Sequence, residues 1–471
     1  MSGSITLSPI LLLAGLLLGG FCLVQSLRSW VTGLQLLTLV VLFGGIVGAR
    51  AGNGALPIAF RDVAIVLPLY LAFILSRTGR QALASLPGEL TAGFVLVFGW
   101  MVVCLSNLGN VSTLQLMIGL KVWVFYIPFL FVGIGLALRP EAMFRVFRTF
   151  VLLGLVAAGI GLLQSFLIRI IGYGPAIELF FGNSAGAATQ GFTFFVAGGG
   201  IFRVPGTFSF NSQYVGFLYL LLTIGMIETN ADPDPWYRRL GGIATFVALF
   251  ASIVSGTKGA LVTFPVFVVG FAFFGLMRSR FLLVAPVALA LTVAAVTAIG
   301  VDLGGLFGYG ATLTEKYAQG FFFQQIDHAL QFGALGRGIG SNTNAARYTV
   351  GTDFGMLVGL ESYFAKIAVE LGTIGLVVFG VFLLAIAFRT ALVSLRNRFR
   401  EQIEVIGPLA VYIAFTLVTL FKAWSLDVDP TNIFFWLSLG LLIGTERQAR
   451  RARIAAREAA MMPAPAPAPA E

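Results

Sequence analysis

Charge is scarce in this chain. Aspartate, glutamate, lysine and arginine make up 11% of its 471 residues, against roughly a quarter in an ordinary soluble domain. That shortfall excludes a conventional solvated surface. Histidine occurs once, as His328, and cysteine twice, as Cys22 and Cys104. Both cysteines sit within apolar runs, so they read as small buried hydrophobes and not as a disulfide or a metal site. One imidazole and two buried thiols are too few for a metal cage, and no metal or cofactor is expected. The segment 1–8 lacks the basic stretch that opens a secretory signal, so the first apolar run is expected to stay as a helix.

Apolar side chains fill the space that charge leaves. Hydrophobic residues make up 58% of the sequence, and its mean hydropathy is +0.94. Uninterrupted apolar runs of about 20 residues, enough to cross a hydrocarbon core of about 30 Å, recur along the chain. Continuous rather than alternating runs select helices over a closed barrel. The pattern predicts an all-α polytopic membrane protein of about 12–13 transmembrane helices. Its candidate spans are 8–26, 31–49, 62–76, 90–106, 114–138, 145–170, 208–227, 240–254, 259–277, 281–300, 361–388, 403–421 and 430–445, the third and eighth looking short. A large extracytoplasmic loop separates the tenth from the eleventh. Residues 1–445 read as one transmembrane domain, without internal repeat, heptads or soluble module. Residues 446–471 read as a cytoplasmic basic tail ending in an extended, disordered Pro/Ala run.

Net charge is +10, but the basic residues are scattered between spans, so membrane orientation explains them better than nucleic acid does. Arg447, Arg450, Arg451, Arg453 and Arg457 follow the last span, and Arg389, Arg396, Arg398 and Arg400 follow the eleventh. Both groups are expected in the cytoplasm. Alternation then places Arg28, Arg77, Arg80, Arg139, Arg145, Arg148, Arg238, Arg239, Arg278 and Arg280 on the same side. Arg50 and Arg61 fall on the opposite one. Two long segments, 171–207 and 301–360, come to lie outside. The first is Gly-rich and apolar, and is expected at the interface or re-entering the protein. The second is the longest polar interruption, with Asp327, His328, Arg337, Arg347 and Asp353, and it runs into Glu361-Ser-Tyr-Phe-Ala-Lys366.

Basic residues on the outer side need a reason. Arg203 precedes Val-Pro-Gly206-Thr-Phe-Ser-Phe-Asn211, Lys258 lies in the hairpin Ser255-Gly-Thr-Lys258-Gly, and Arg337 in Gly336-Arg-Gly-Ile-Gly340, with Arg347 and Lys366 further on. Singly, each fits snorkelling to headgroups, or pairing with Asp327, Asp353 or Glu370. Together, set in glycine turns, they outline an anion site. Glycine lets the backbone approach a ligand closely, and guanidinium forks match phosphate oxygens. A pyrophosphate at the membrane surface would suit them. Glu361, heading the eleventh span, is favoured there by the helix dipole and could serve as general base on a sugar hydroxyl. A plain helix N-terminal charge is the blander reading. Glu370, at i+4 from Lys366, reads as its ion-pair partner. His328 reads as a surface residue, and Asp427 and Asp429 as hairpin solvation with Lys422. The 336–340 glycines follow no strand–helix unit, so a dinucleotide site is excluded.

Three of these patches resemble, in order and topology, motifs of the O-antigen ligase/polymerase superfamily of bacterial envelope enzymes. Arg203-Val-Pro-Gly-Thr-Phe-Ser-Phe-Asn211 resembles that family's Arg-x-x-Gly-Thr-Phe…Asn segment. Ser255-Gly-Thr-Lys258-Gly-Ala resembles its Ser-Arg-Gly hairpin, with lysine for the usual arginine. Gly336-Arg-Gly-Ile-Gly340, followed by Glu361-Ser-Tyr-Phe and Glu370-Leu-Gly372-Thr-Ile-Gly375-Leu, resembles its Gly-x-Gly loop and His-Asn-x-Tyr-Leu…Glu-x-Gly-x-x-Gly stretch. The likeness covers residues 200–390 or so. It implies an undecaprenyl-diphosphate-linked oligosaccharide as donor, and transfer on the outer face of the bacterial inner membrane without cofactor. Arg203, Lys258, Arg337 and Arg347 would hold the diphosphate. A chain-length regulator or other polysaccharide-assembly protein is an implied partner beside membrane lipid. Where ligases carry His-Asn, this chain has Glu361-Ser362. That departure favours a Wzy-type polymerase over a ligase, with Glu361 and Arg337 as the catalytic pair. Outside the family, the rival class is a transporter or lipid-linked oligosaccharide flippase, which sets broken helices and charges near the bilayer midplane, commonly in paired halves.

Overall fold

Where no water can satisfy the backbone, long apolar runs close their own hydrogen bonds as helices. The computed structural model describes residues 9–51, 55–106, 111–182, 193–196, 199–276, 321–343, 360–398 and 400–461. The helices that matter here are α1 (Pro9–Arg28), α2 (Trp30–Arg50), α3 (Pro57–Leu75), α4 (Gly88–Cys104), α5 (Thr113–Ala137), α6 (Pro140–Ile171), α7 (Tyr173–Phe181), α8 (Asn211–Ala231), α9 (Pro235–Val254), α10 (Lys258–Phe273), α11 (Phe321–Leu330), α12 (Tyr363–Asn397), α13 (Ile403–Thr419) and α14 (Thr431–Met461). Among the described residues the sheet content is one antiparallel hairpin, β1 (Thr193–Val196) with β2 (Gly199–Phe202).

By length and composition seven of these helices can cross a membrane, or eight if Arg77–Leu83 and Gly88–Cys104, bent by 83°, form one span. This is the helical architecture of a multi-pass membrane protein. The expected tenth span (281–300), Arg278, Arg280, Arg347, Asp353, most of 301–360 and the Pro/Ala run 462–471 lie outside the described residues. The third span begins earlier than expected, at Pro57, so Arg61 sits inside a span and not before it. The eighth is full length, at 20 residues. Segment 171–207 is no plain loop, since it contains α7 and the hairpin. The basic stretch after 445 continues α14 to Met461.

Helix α8 is the hub, with 78% of its apolar window buried against 33% for α9 beside it. Lipid supplies no hydrophobic drive between helices, so close packing needs small residues at the crossings. Helices α5 and α14 show this: a Cβ on Gly440 would fall 1.9 Å from the Leu130 carbonyl oxygen, and one on Gly133 2.1 Å from that of Leu437.

Charges gather at the two ends of the bundle. At the end expected to face the cytoplasm, Arg148 forks onto Asp232 at 2.8 and 2.7 Å, and Arg389 bridges Glu446 and Glu89. The opposite end holds the glycine turns around Gly206 and in 336–340, with Arg203, Arg337 and Glu361.

Candidate functional site

The site is organised by a break in α12. At Gly372 the backbone turns to φ 73°, ψ −177°, splitting the helix into 363–371 and 373–397. A break strands backbone groups, and here its neighbours meet them. The Val369 carbonyl accepts from the Arg337 amide at 2.7 Å, and the Thr373 amide donates to the Gly333 carbonyl at 3.0 Å. The Leu371 carbonyl accepts from Trp100 Nε1 at 2.9 Å, with Cys104 Sγ at 3.8 Å. The loop 333–343 therefore lies directly on the break.

A second fastening comes from Glu370, which is fully buried. Its carboxylate accepts from Trp123 Nε1 at 2.6 Å, from the Gly340 and Asn342 amides at 3.0 Å each, and from Thr343 Oγ1 at 3.0 Å. The expected partner Lys366 is 3.9 Å away. Glu370 is thus first an anchor for the glycine loop and only second an ion-pair partner. The Gly340 amide, in a turn expected to approach an anionic ligand, and the Asn342 amide are turned onto this internal carboxylate. Arg337 itself is exposed, its guanidinium lying over the Phe332 ring at 5.4 Å.

Lys366 is not an outward cation. It is fully buried, bonded to Asp427 and set over the Trp123 ring at 4.8 Å. Asp427 and Asp429 were expected to solvate a hairpin with Lys422, but both turn inward. Asp429 pairs with Arg61, which is buried and also bonds Asp62 at 2.9 Å and the Tyr126 hydroxyl. Lys121 joins the cluster through Asp62 at 2.5 Å. A buried charge is tolerated only with such partners, and this accounts for Arg61 inside a span. Arg50 donates to the Leu179 and Phe180 carbonyls, tying α2 to α7.

Glu361 is exposed and precedes α12, which begins at Tyr363 with Ser362 as its N-cap. The turn is held from two sides. Gln325 Oε1, on α11, accepts from the Glu361 and Ser362 amides at 2.7 and 2.9 Å, and Trp424 Nε1 donates to the Ser362 carbonyl at 3.1 Å. Asp327 and His328 are exposed on α11, the imidazole 6.3 Å from the Phe332 ring.

The other two motifs pack as one unit. The Val204 amide donates to the Ser255 carbonyl at 3.2 Å. Asn211 Nδ2 donates to the Val204 and Ser255 carbonyls, and Thr257 Oγ1 to Asn211 Oδ1 at 2.6 Å. Half-buried Arg203 is thereby set beside the turn that leads into Lys258, the first residue of α10. Among the α10 phenylalanines whose side chains are described, Phe267 and Phe271 are buried, with Phe267 stacked on Tyr219 at 5.2 Å, and Phe273 is exposed. Sequence reasoning missed Gln325, Phe332 and Trp123. Polar groups inside apolar runs were the available signal for the inward-facing charges.

No protein-family model matches the chain, and no curated protein matches it.

Proposed function

We propose that this protein is a membrane glycosyltransferase that uses a polyprenyl-diphosphate-linked glycan donor, polymerising repeat units of a cell-surface polysaccharide on the non-cytoplasmic face. The observation that carries the reading is an exposed Arg337 on a loop bolted to α12, at the end of the helix that exposed Glu361 precedes. From Tyr363, two residues after Glu361, to Val369, which holds the Arg337 amide, the helix rises about 9 Å. In the reaction the acceptor hydroxyl attacks the anomeric carbon, and the bond from that carbon to the diphosphate oxygen breaks. The electron pair leaves with the polyprenyl diphosphate, and Glu361 takes the hydroxyl proton. Arg337, with Arg203, Lys258 and Arg347, neutralises the leaving group, and preorganised charge of this kind is the strongest aid such a step receives.

Arg337→Ala and Glu361→Ala test this in cells. Both should abolish long-chain glycan and leave single repeats on the carrier outside the membrane. Full-length polymer retained on the carrier would indicate a ligase, and repeats stranded inside would indicate a flippase.

The interrupted helix and buried charges favour a second reading, a transporter. The position of the break weighs against it. The apolar segment 373–388, up to Arg389, runs about 24 Å at ~1.5 Å per residue, most of the ~30 Å hydrocarbon core. With Arg389 at the cytoplasmic surface, Gly372 would lie nearer the opposite edge of the membrane than its midplane.

A further inference from the structure

We infer that Glu370 is a positioning residue that sets the diphosphate-binding arginine, and this rests on the function proposed above. Four donors converge on its buried carboxylate, three of them from the stretch 340–343 and one from Trp123. The loop that carries Arg337 is thus fixed at both ends: its start by the Gly333 and Arg337 bonds to α12, its end by Glu370. Gly336, Gly338 and Gly340 all have positive φ, so little in the loop's own conformational preference would hold it without those anchors. The carboxylate itself is fully buried and unavailable to substrate, so it acts through the loop. Charge matters as well as shape. Both oxygens face only donors, and an amide in that place would turn an NH2 group toward one pair of them. A cation held in place in advance binds phosphate without ordering itself first.

The test is binding of undecaprenyl diphosphate to the purified full chain in lipid nanodiscs, with thermal unfolding followed in parallel. Wild type should bind, and Arg337→Ala should weaken binding by about tenfold or more. Glu370→Gln should weaken it by a similar factor, and the double variant should be no weaker than either single one, because both act through one contact. In turnover the loss for Glu370→Gln should fall on KM for the lipid donor more than on kcat. If Glu370→Gln does not fold, Thr343→Val, which removes one loop anchor, must weaken binding in its place. Unchanged affinity in the folded glutamine variant, or fully additive effects with Arg337→Ala, overturns the inference. Failure of wild type to bind undecaprenyl diphosphate overturns instead the function on which it rests.

Discussion

Gly336 and Gly372 meet back to back, thirty-six positions apart in the chain. A Cβ on Gly336 would lie 2.6 Å from the Gly372 amide nitrogen, and one on Gly372 would lie 2.0 Å from the Ala334 carbonyl oxygen and 2.6 Å from the Gly336 nitrogen. Both residues have positive φ, 70° and 73°. The contact presses a loop with an exposed arginine onto the one place where α12 opens its backbone.

Gly372→Ala is therefore expected to cost about 1–3 kcal/mol from backbone strain alone, and more from the clash with Ala334. Thermal unfolding in detergent should show the loss, and transfer activity should fall with it. An alanine variant as stable and active as wild type would mean that the break is not held as described.

The buried pair of Lys366 and Asp427 gives a second expectation. Removing one partner of a buried ion pair costs about 3–5 kcal/mol, whereas replacing both with apolar groups is close to neutral. Lys366→Met should destabilise strongly, and adding Asp427→Leu should restore most of the stability. Equal destabilisation in the single and double variants would contradict the pairing.

At the other end of the bundle, Asp232 provides a pH test. Burial alone would raise its pKa, but hydrogen bonds from Arg148 and the Asp234 amide outweigh this and hold the carboxyl below its ordinary value. A depressed folded pKa stabilises fully above the unfolded value of about 3.9, and the contribution is lost as pH falls through the folded value. Wild type should therefore lose stability below about pH 4 more steeply than Asp232→Asn. Parallel acid limbs in the two proteins would refute this.

Sidedness is open to chemical labelling. In a background without Cys22 and Cys104, single cysteines at 337 and 361 should react with a membrane-impermeant maleimide added outside, and a cysteine at 232 should not. Reaction of 337 and 361 from the cytosolic side alone would remove the proposed site from the face where lipid-linked glycans are joined.

Hydropathy is a local property, and it made the helices legible. Most expected spans coincide with described helices within a few residues, because chain length in lipid is fixed by membrane thickness. The cysteines' burial was legible for the same reason. The partners were not. Arg61 and Asp429, Lys366 and Asp427, and Glu370 and the Gly340 amide are joined across long stretches of chain. No sequence window contains both members of the first two pairs. The i,i+4 spacing of Lys366 and Glu370 pointed to a helix-surface pair, whereas tertiary packing gave each a closer partner. Glycine spacing pointed to the 336–340 loop as a place where the backbone approaches a ligand closely. It did not reveal that the approaching group is α12 itself, and that a buried glutamate takes the Gly340 and Asn342 amides.

The most direct measurement is turnover by the purified chain supplied with the lipid-linked glycan that accumulates in cells lacking this protein. The expected result is one polyprenyl diphosphate released for each glycosidic bond formed, with both products lost in Arg337→Ala and Glu361→Ala. Intact donor moved across a bilayer with no diphosphate released would contradict the account.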